Sequence, residues 1–182
     1  MEAIQNFDFF VLNGLQDLLQ CDFMDAVVPL LTHLGHGVVW AIFGLIFLFI
    51  KKYRFNGICI ISALVATVII SEFIIKPLFL RERPYMLNPD FVLLIPEPSG
   101  TSFPSSHTST SFASALQFFG INRKAGIAAL IFAAVVAFTR LYLYVHFPTD
   151  IIGGIILGVI MGFATIIVGK KIRQKTTERT SQ

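Results

Sequence analysis

Three short segments hold most of the charged and hydrogen-bonding side chains that this apolar sequence places outside its basic clusters. They are residues 76–84, 103–107 and 139–150. Lys76, Arg83 and Arg140 would supply three cations to one pocket, and a helix that begins at residues 105–107 would add amide groups. Guanidinium forks and helix N-terminal amides both bind phosphate oxygens. The segments therefore predict a pocket for a tetrahedral dianion.

Two histidines in these segments, His107 and His146, add what phosphoryl transfer needs, a nucleophile and a proton donor for the leaving oxygen. Asp150 follows His146 by four residues, so one helical turn would place its carboxylate beside the imidazole, although Pro148 leaves a turn as the alternative. A carboxylate on one ring nitrogen fixes the tautomer and makes the other nitrogen a better nucleophile. In this interpretation His146 attacks phosphorus and His107 protonates the leaving group.

In order and spacing, the three segments resemble the signature of the type 2 phosphatidic acid phosphatase superfamily, which also includes vanadium haloperoxidases and related acid phosphatases. Residues 76–84 read K-x6-R-P. Residues 104–107 read P-S-S-H where the family usually has P-S-G-H, and residues 139–150 read T-R-x5-H-x3-D in place of S-R-x5-H-x3-D. The resemblance covers about residues 76–150, and all three motifs are in register.

The resemblance implies a role for each of eight residues. Those that would bind the phosphoryl oxygens are Lys76, Arg83, Ser105, Ser106 and Arg140. Three others would carry out catalysis: His146 as the phosphohistidine nucleophile, His107 as the general acid and Asp150 as the partner that orients His146.

Two positions depart from the family pattern. Ser106 replaces a glycine, so its amide can contact phosphate only if the residue does not need a positive φ. Thr139 replaces a serine and keeps the hydroxyl. Neither change removes a titrating group, so we expect an active enzyme. We expect no metal and no other cofactor, because the acidic residues are scattered and arginine and lysine neutralise the charge.

Composition places the chain in the membrane class. It has 182 residues, 55% of them hydrophobic and 14% charged, with a mean hydropathy of +0.75. This predicts an all-α integral membrane bundle, a single membrane-embedded phosphatase domain over residues 1–182. Apolar runs of suitable length predict five spans, at residues 27–50, 57–75, 106–119, 125–144 and 151–168. The third is short and rich in hydroxyl groups, so it should be enclosed by the others.

The first twenty residues have an amphipathic pattern. One helical stripe comprises Ile4, Phe7, Val11, Leu15 and Leu18. The opposite face comprises Asn6, Asn13, Gln16, Asp17 and Gln20. This pattern predicts a helix over residues 3–20 that lies in the membrane interface, with a sixth span as the alternative.

The distribution of the 14 lysines and arginines predicts the orientation. Alternating loops place ten of them on one side, including those of a tail at residues 170–182, and that side is expected to be cytoplasmic in the cell membrane. The other four are Lys76, Arg81, Arg83 and Arg140. Cations kept near apolar spans against this rule mark a functional site. Arg81 also fits the simpler role of a cation that anchors a helix end.

Other features favour structural roles. His33 and His36 are interpreted as packing or interface residues, and Glu72 as the partner of a nearby cation. Two stripes of small residues predict that the fourth and fifth spans pack together, with a homodimer face as the alternative. Their members are Ala125, Ala129, Ala133 and Ala137 in one stripe, and Gly154, Gly158 and Gly162 in the other. The basic residues flank apolar runs, so no nucleic-acid partner is expected.

The expected substrate is a lipid phosphate met at headgroup depth on the non-cytoplasmic face, because the reactive groups lie at the outer ends of spans. The family resemblance points first to undecaprenyl diphosphate, hydrolysed to the monophosphate that cell-wall synthesis reuses. Phosphatidylglycerophosphate, phosphatidate and lipid A phosphates are alternatives. A haloperoxidase is disfavoured because those members are larger soluble proteins. A lipid carrier that only grips headgroups would have no use for two histidines and a carboxylate at this spacing.

Overall fold

The computed structural model describes residues 2–180 of the chain. Within that range the protein is helical and contains no β-strand, which confirms the predicted all-α class. The α-helices are α1 Glu2–Leu19, α2 Asp22–Leu34, α3 Gly37–Phe49, α4 Arg54–Val68, α5 Lys76–Phe79, α6 Pro84–Leu87, α7 Ser106–Gln117, α8 Arg123–Tyr142 and α9 Pro148–Thr180.

The predicted first span is two helices rather than one. Helices α2 and α3 meet at an angle of 44° across a break at Gly35 and His36. A Cβ atom on Gly35 would lie 2.4 Å from the Val136 side chain of α8, so only glycine permits this close approach. The break therefore turns the chain where α8 crosses it.

The second predicted span continues beyond its expected end. Helix α4 passes into a π-helix at Ile69–Ile75 and then into α5, which ends at Leu80 with a left-handed backbone φ of 45°. A π-helix changes the direction of side chains relative to a regular helix and is frequent at functional sites. Here it lies directly before Lys76.

Helix α7 is enclosed by other helices, as predicted. Nine of its side chains are buried, and α3, α4, α8 and α9 all pack on it. Except for that of Ser114, its hydroxyl groups have hydrogen-bond partners within the described chain: the Thr110 hydroxyl donates to the Ser106 carbonyl at 2.7 Å, and Ser111 Oγ accepts from Trp40 Nε1 at 3.0 Å. These internal bonds allow a polar helix to lie in the centre of a membrane bundle.

The small-residue stripes both face α7, so the prediction that they join the fourth and fifth spans is wrong. The glycines of α9 lie against the α7 backbone, and a Cβ on Gly158 would be 2.5 Å from the Ser109 carbonyl oxygen. The alanines of α8 meet α7 at Ala115, where Ala133 is fully buried. The short α7 lies between the two long helices and takes up both stripes.

The predicted N-terminal helix is present as α1, but the surroundings of its polar residues differ from the prediction. Its buried residues are Asp8, Leu12 and Gln16, whereas Phe10 and Leu18 are 79% and 80% exposed. Gln16 Nε2 donates to the Tyr142 carbonyl at 2.6 Å. Of the predicted polar face, Gln16 and Asn13 contact the α8–α9 connection, where buried polar groups need partners, while Asn6, Asp17 and Gln20 are exposed.

Three helical stretches of the described chain are long and apolar enough to cross a bilayer. They are Lys51–Leu87, Arg123–Tyr142 and Pro148–Lys175; the bent pair α2 and α3 makes a fourth if it is counted as one span. Helix α7 does not belong to this group. The predicted tail continues α9 up to Thr180, and Ser181 and Gln182 of that tail lie outside the described residues.

We predict that Gly158→Leu lowers the thermal unfolding midpoint in detergent. The added side chain would meet the Ser109 carbonyl, a backbone atom that cannot rotate away, at a cost of about 1–3 kcal/mol. The matched control is Gly14→Leu on α1, where a Cβ meets no atom within 4 Å. Equal midpoints for the two variants would contradict the close packing of α7 and α9.

Candidate active site

A cavity of about 410 Å³ lies at the end of the bundle where the three sequence segments meet. The residues that line it are His36, Glu72, Lys76, Arg83, Pro98, Ser99, Ser106, His107, Arg140 and His146. Six of the eight predicted site residues are in this group. The other two, Ser105 and Asp150, are buried behind the cavity wall.

The three predicted cations converge on this cavity and are almost fully buried. Arg83 and Arg140 are each 3% exposed, and Lys76 is 8% exposed. Lys76 Nζ donates to Glu72 Oε1 at 2.7 Å, which confirms the expected pairing of Glu72. Arg140 Nη1 donates to Thr32 Oγ1 at 2.7 Å, while its Nε has no hydrogen-bond partner within the described chain. With one carboxylate among three cations, the cavity favours an anion.

His146 stands on the connection between α8 and α9. Its ring nitrogen Nε2 lies 3.2 Å from Arg83 Nη1. A guanidinium can only donate, so Nε2 accepts this bond and the ring proton is on Nδ1. The connection turns sharply at Tyr144, whose φ of 58° is in the left-handed region. Strained residues of this kind cluster at functional sites.

The Nδ1 side of His146 faces Asp150. Asp150 Oδ2 lies 3.6 Å from Nδ1 and accepts hydrogen bonds from Ser102 Oγ at 2.5 Å and from the Phe147 amide at 2.8 Å. Ser102 Oγ also lies 3.4 Å from Nδ1. The carboxylate therefore faces the nitrogen that carries the proton, and Nε2 points into the cavity. Sequence reasoning missed Ser102, since no motif spacing singled it out.

Burial lowers the pKa of His146 to about 3, and the nearby cations Arg83 and Arg140 act in the same direction while Asp150 opposes them. The imidazole is consequently neutral at physiological pH. A neutral ring retains the lone pair on Nε2 that an attack on phosphorus requires.

Arg81 is not a cation that anchors a helix end in the lipid interface, and that part of the sequence interpretation is wrong. Its Nη1 donates to Asp150 Oδ1 at 2.7 Å, and its Nη2 donates to Asp8 Oδ2 at 2.6 Å. The guanidinium also lies over the Phe147 ring, 4.1 Å from its centroid. The Arg81 guanidinium is thus paired with two buried carboxylates inside the protein, as buried charges require.

Ser106 fits its position although the family usually has glycine there. It is the first residue of α7 and does not adopt a positive φ. Its hydroxyl donates to Glu72 and lies 3.0 Å from Ser71 Oγ. The Ser105 amide donates to the Asp150 carbonyl at 3.2 Å, and its hydroxyl accepts from Thr108. Ser105 thus joins the beginnings of α7 and α9.

His36 belongs to the cavity wall, although the sequence favoured a packing role. Its ring meets that of His107 edge to face, with centroids 4.8 Å apart. The two histidines also line a smaller adjoining cavity of about 230 Å³ together with His33. The break between α2 and α3 places His36 at the cavity. Helical periodicity could not predict this position, because the break interrupts the helix.

Residues 56–174 match the PAP2 superfamily, which is more than half of the chain. The chain belongs to this superfamily. The match contains all three segments, and it confirms the resemblance seen in the sequence.

Two relatives and one solved structure extend this finding. Undecaprenyl-diphosphatase BcrC of Bacillus subtilis is 30% identical over 113 residues, which are 62% of this chain and 55% of the relative. The chain thus spans little more than half the length of that relative. Lipid A 4'-phosphatase of Porphyromonas gingivalis is 34% identical over 165 residues, 85% of this chain and 68% of the relative. Both names are those of phosphatases that act on lipid phosphates, which confirms the expected enzyme class at the level of the family.

The fold is shared with the crystal structure of the first transmembrane PAP2 type phosphatidylglycerolphosphate phosphatase from Bacillus subtilis. The TM-score is 0.79 at 24% identity, and the alignment covers 94% of this chain and 89% of that one. This likeness confirms a multi-pass membrane bundle.

We predict that orthovanadate binds in this cavity and that Arg140→Gln weakens its binding at least about tenfold, because a charge-assisted hydrogen bond contributes about 1.5–3 kcal/mol. Calorimetry in detergent would measure both dissociation constants. The matched control is Arg123→Gln, which removes an exposed arginine from the other end of α8. Equal vanadate affinity in wild type and Arg140→Gln would contradict the anion site.

Proposed function

We propose that this protein hydrolyses a lipid phosphate or diphosphate without a metal ion, through a phosphohistidine intermediate on His146. The observation that carries the proposal is the placement of His146 Nε2 in a cavity with three buried cations. A lone pair aimed at the site where a phosphoryl group would be held is what nucleophilic catalysis requires.

In the first step, Nε2 attacks phosphorus and the bond to the leaving oxygen breaks. Arg83, Arg140 and Lys76 bind the equatorial oxygens, whose charge they stabilise. His107 gives a proton to the leaving oxygen, and Asp150 stabilises the positive charge that develops on the His146 ring. In the second step, His107 takes a proton from water, the hydroxide attacks the phosphohistidine, and inorganic phosphate leaves.

Arg83 changes partners as substrate binds. Its Nε and Nη2 donate to the carbonyls of Gly100 and Ser99, and Nη1 is shared between the Val145 carbonyl and His146 Nε2. A phosphoryl oxygen would compete for the Nη1 proton and release the lone pair of His146. Arg83 thereby holds the nucleophile in place until a phosphate arrives.

The first substrate that we propose is undecaprenyl diphosphate. Two observations support it: the relative that bears this activity in its name, and a cavity at the end of apolar helices, where the headgroup of a long-chain lipid would lie. A lipid A phosphate is the second candidate, because the relative named for that activity matches more of this chain. Phosphatidylglycerophosphate and phosphatidate are the further alternatives.

We predict that purified protein releases phosphate from at least one of these four lipids in detergent with EDTA present. His146→Ala and His107→Ala should each reduce the rate by a factor of at least about 100, since they remove the nucleophile and the general acid. Thermal midpoints would show that both variants fold. Near-normal rates from either variant would contradict its role, and binding of lipid without turnover by wild type would favour a lipid carrier.

We place the active site on the non-cytoplasmic face of the cell membrane and predict that the loop between α6 and α7 is accessible only from outside. A single cysteine introduced at Asn88 in a Cys21→Ser, Cys59→Ser background should react with an impermeant maleimide in intact cells. Its control is a cysteine at Lys124, at the other end of the bundle. Labelling at position 124 and not at position 88 would invert the orientation.

A further inference from the structure

Polar side chains of α1 are attached by hydrogen bonds to the chain segment that carries His146. Three polar residues of α1 contact residues 142–149: Gln16 donates to the Tyr142 carbonyl, Asn13 Oδ1 accepts from the Tyr144 hydroxyl at 2.7 Å, and Asp8 Oδ1 accepts from the Thr149 amide at 3.0 Å. The contacts occur on both sides of His146. Helix α1, which was predicted to lie in the membrane interface, therefore holds residues 142–149 in place.

Asp8 is the most deeply placed of these contacts. It is fully buried, and its Oδ2 accepts from Arg81 and also from the Thr149 hydroxyl at 2.6 Å. Arg81 in turn donates to Asp150 Oδ1. The three side chains thus form a continuous line from α1 through Arg81 to the carboxylate that faces His146.

This arrangement divides the hydrogen bonds of Asp150 between its two oxygens. Oδ1 accepts from Arg81, whereas Oδ2 accepts from Ser102 and the Phe147 amide and faces His146 Nδ1. An arginine with no second anion would bind a carboxylate through two parallel hydrogen bonds. Such a pairing would draw Oδ2 toward the guanidinium and away from the imidazole.

We propose that Asp8 and Arg81 are positioning residues for the phosphoryl-transfer reaction. Asp8 holds one arm of the Arg81 guanidinium, so that only Oδ1 of Asp150 is engaged and Oδ2 remains directed at His146. The N-terminal helix then supplies a group without which the nucleophile is poorly oriented. This inference rests on the proposed function, since it concerns the orientation of the same histidine.

A purely structural role for Asp8 predicts something different. Asp8 accepts the amide of Thr149 in the first turn of α9, which by itself stabilises a helix N-terminus. Asparagine in place of Asp8 keeps the oxygen that accepts this bond and removes the charge that holds Arg81. The variant Asp8→Asn consequently separates the two roles.

We expect Asp8→Asn to lower kcat about 10- to 100-fold, a range typical for residues that orient a catalytic ligand from behind. KM should change by less than about twofold, because Lys76, Arg83 and Arg140 still bind the phosphate. The matched control is Asp17→Asn, which removes an exposed carboxylate from the same helix and should leave kcat unchanged. Thermal midpoints of both variants would be measured in the same detergent.

A second variant tests the connection through Arg81. Lysine keeps the charge but cannot reach two carboxylates with a planar fork. Arg81→Lys should therefore lower kcat as Asp8→Asn does, and the double variant should be little worse than either single one. Losses that multiply in the double variant would show that the two residues act independently and would overturn the proposal.

Vanadate affinity provides a readout that does not depend on turnover. Vanadate bound in place of the phosphoryl group would lie against His146 Nε2, so its affinity should depend on the orientation of the imidazole. Asp8→Asn should weaken vanadate binding about tenfold relative to Asp17→Asn. If wild type hydrolyses lipid phosphates while Asp8→Asn matches Asp17→Asn in kcat and vanadate affinity, the proposed role of Asp8 is wrong and the proposed function stands. If wild type hydrolyses none of the lipids, the proposed function fails, and the vanadate comparison still decides the inference.

Discussion

A buried charge in an apolar bundle needs a partner, and the active-site end of this protein is built around that need. Removing an unpaired ion from water costs several kcal/mol, which far exceeds the contribution of most single contacts. Lys76 pairs with Glu72, Arg81 with two carboxylates, and Arg83 with backbone carbonyls and His146. Within the described part of the chain, the Arg140 guanidinium donates to a threonine hydroxyl, and its Nε has no hydrogen-bond partner. The positive charge that lacks an anionic partner is thus concentrated in the cavity that an anionic substrate would enter.

Helix α7 determines where these groups meet. It is short and rich in serine and threonine, and the glycines of α9 and alanines of α8 let both long helices approach its backbone. Its first turn carries Ser106 and His107 into the cavity, and the Ser105 amide binds the Asp150 carbonyl. Because α7 packs against α3, α4, α8 and α9, small changes in its packing would alter several residues of the cavity together. Small residues serve here to place the groups that line the cavity rather than to join the two long helices α8 and α9.

The connection between α8 and α9 is held in place by buried aromatic side chains. Residues 142–147 include three of the largest fully buried side chains, Tyr142, Tyr144 and Phe147. Phe91 stacks on Tyr144 with ring centroids 4.1 Å apart, and Phe9 meets Phe147 edge to face. Aromatic contacts of this kind and the hydrogen bonds from α1 fix the left-handed turn at Tyr144. The orientation of His146 is therefore a property of the packed bundle.

The sequence by itself determined the helical membrane class, the family and most of the polar residues that line the candidate site. Residue types and their spacing are sufficient for these conclusions. High hydropathy indicates helices that lie in lipid, and the spacing of lysine, arginine and histidine indicates phosphoryl transfer. Tertiary structure alone decided which faces meet: the bend at Gly35, the glycines of α9 against α7, Arg81 between Asp8 and Asp150, and Ser102 beside His146. Helical periodicity shows which residues share a face, but not which partner that face contacts. The sequence around Asp8 is the same whether water or Arg81 is the partner of its carboxylate, and only the packing of the whole chain distinguishes the two cases.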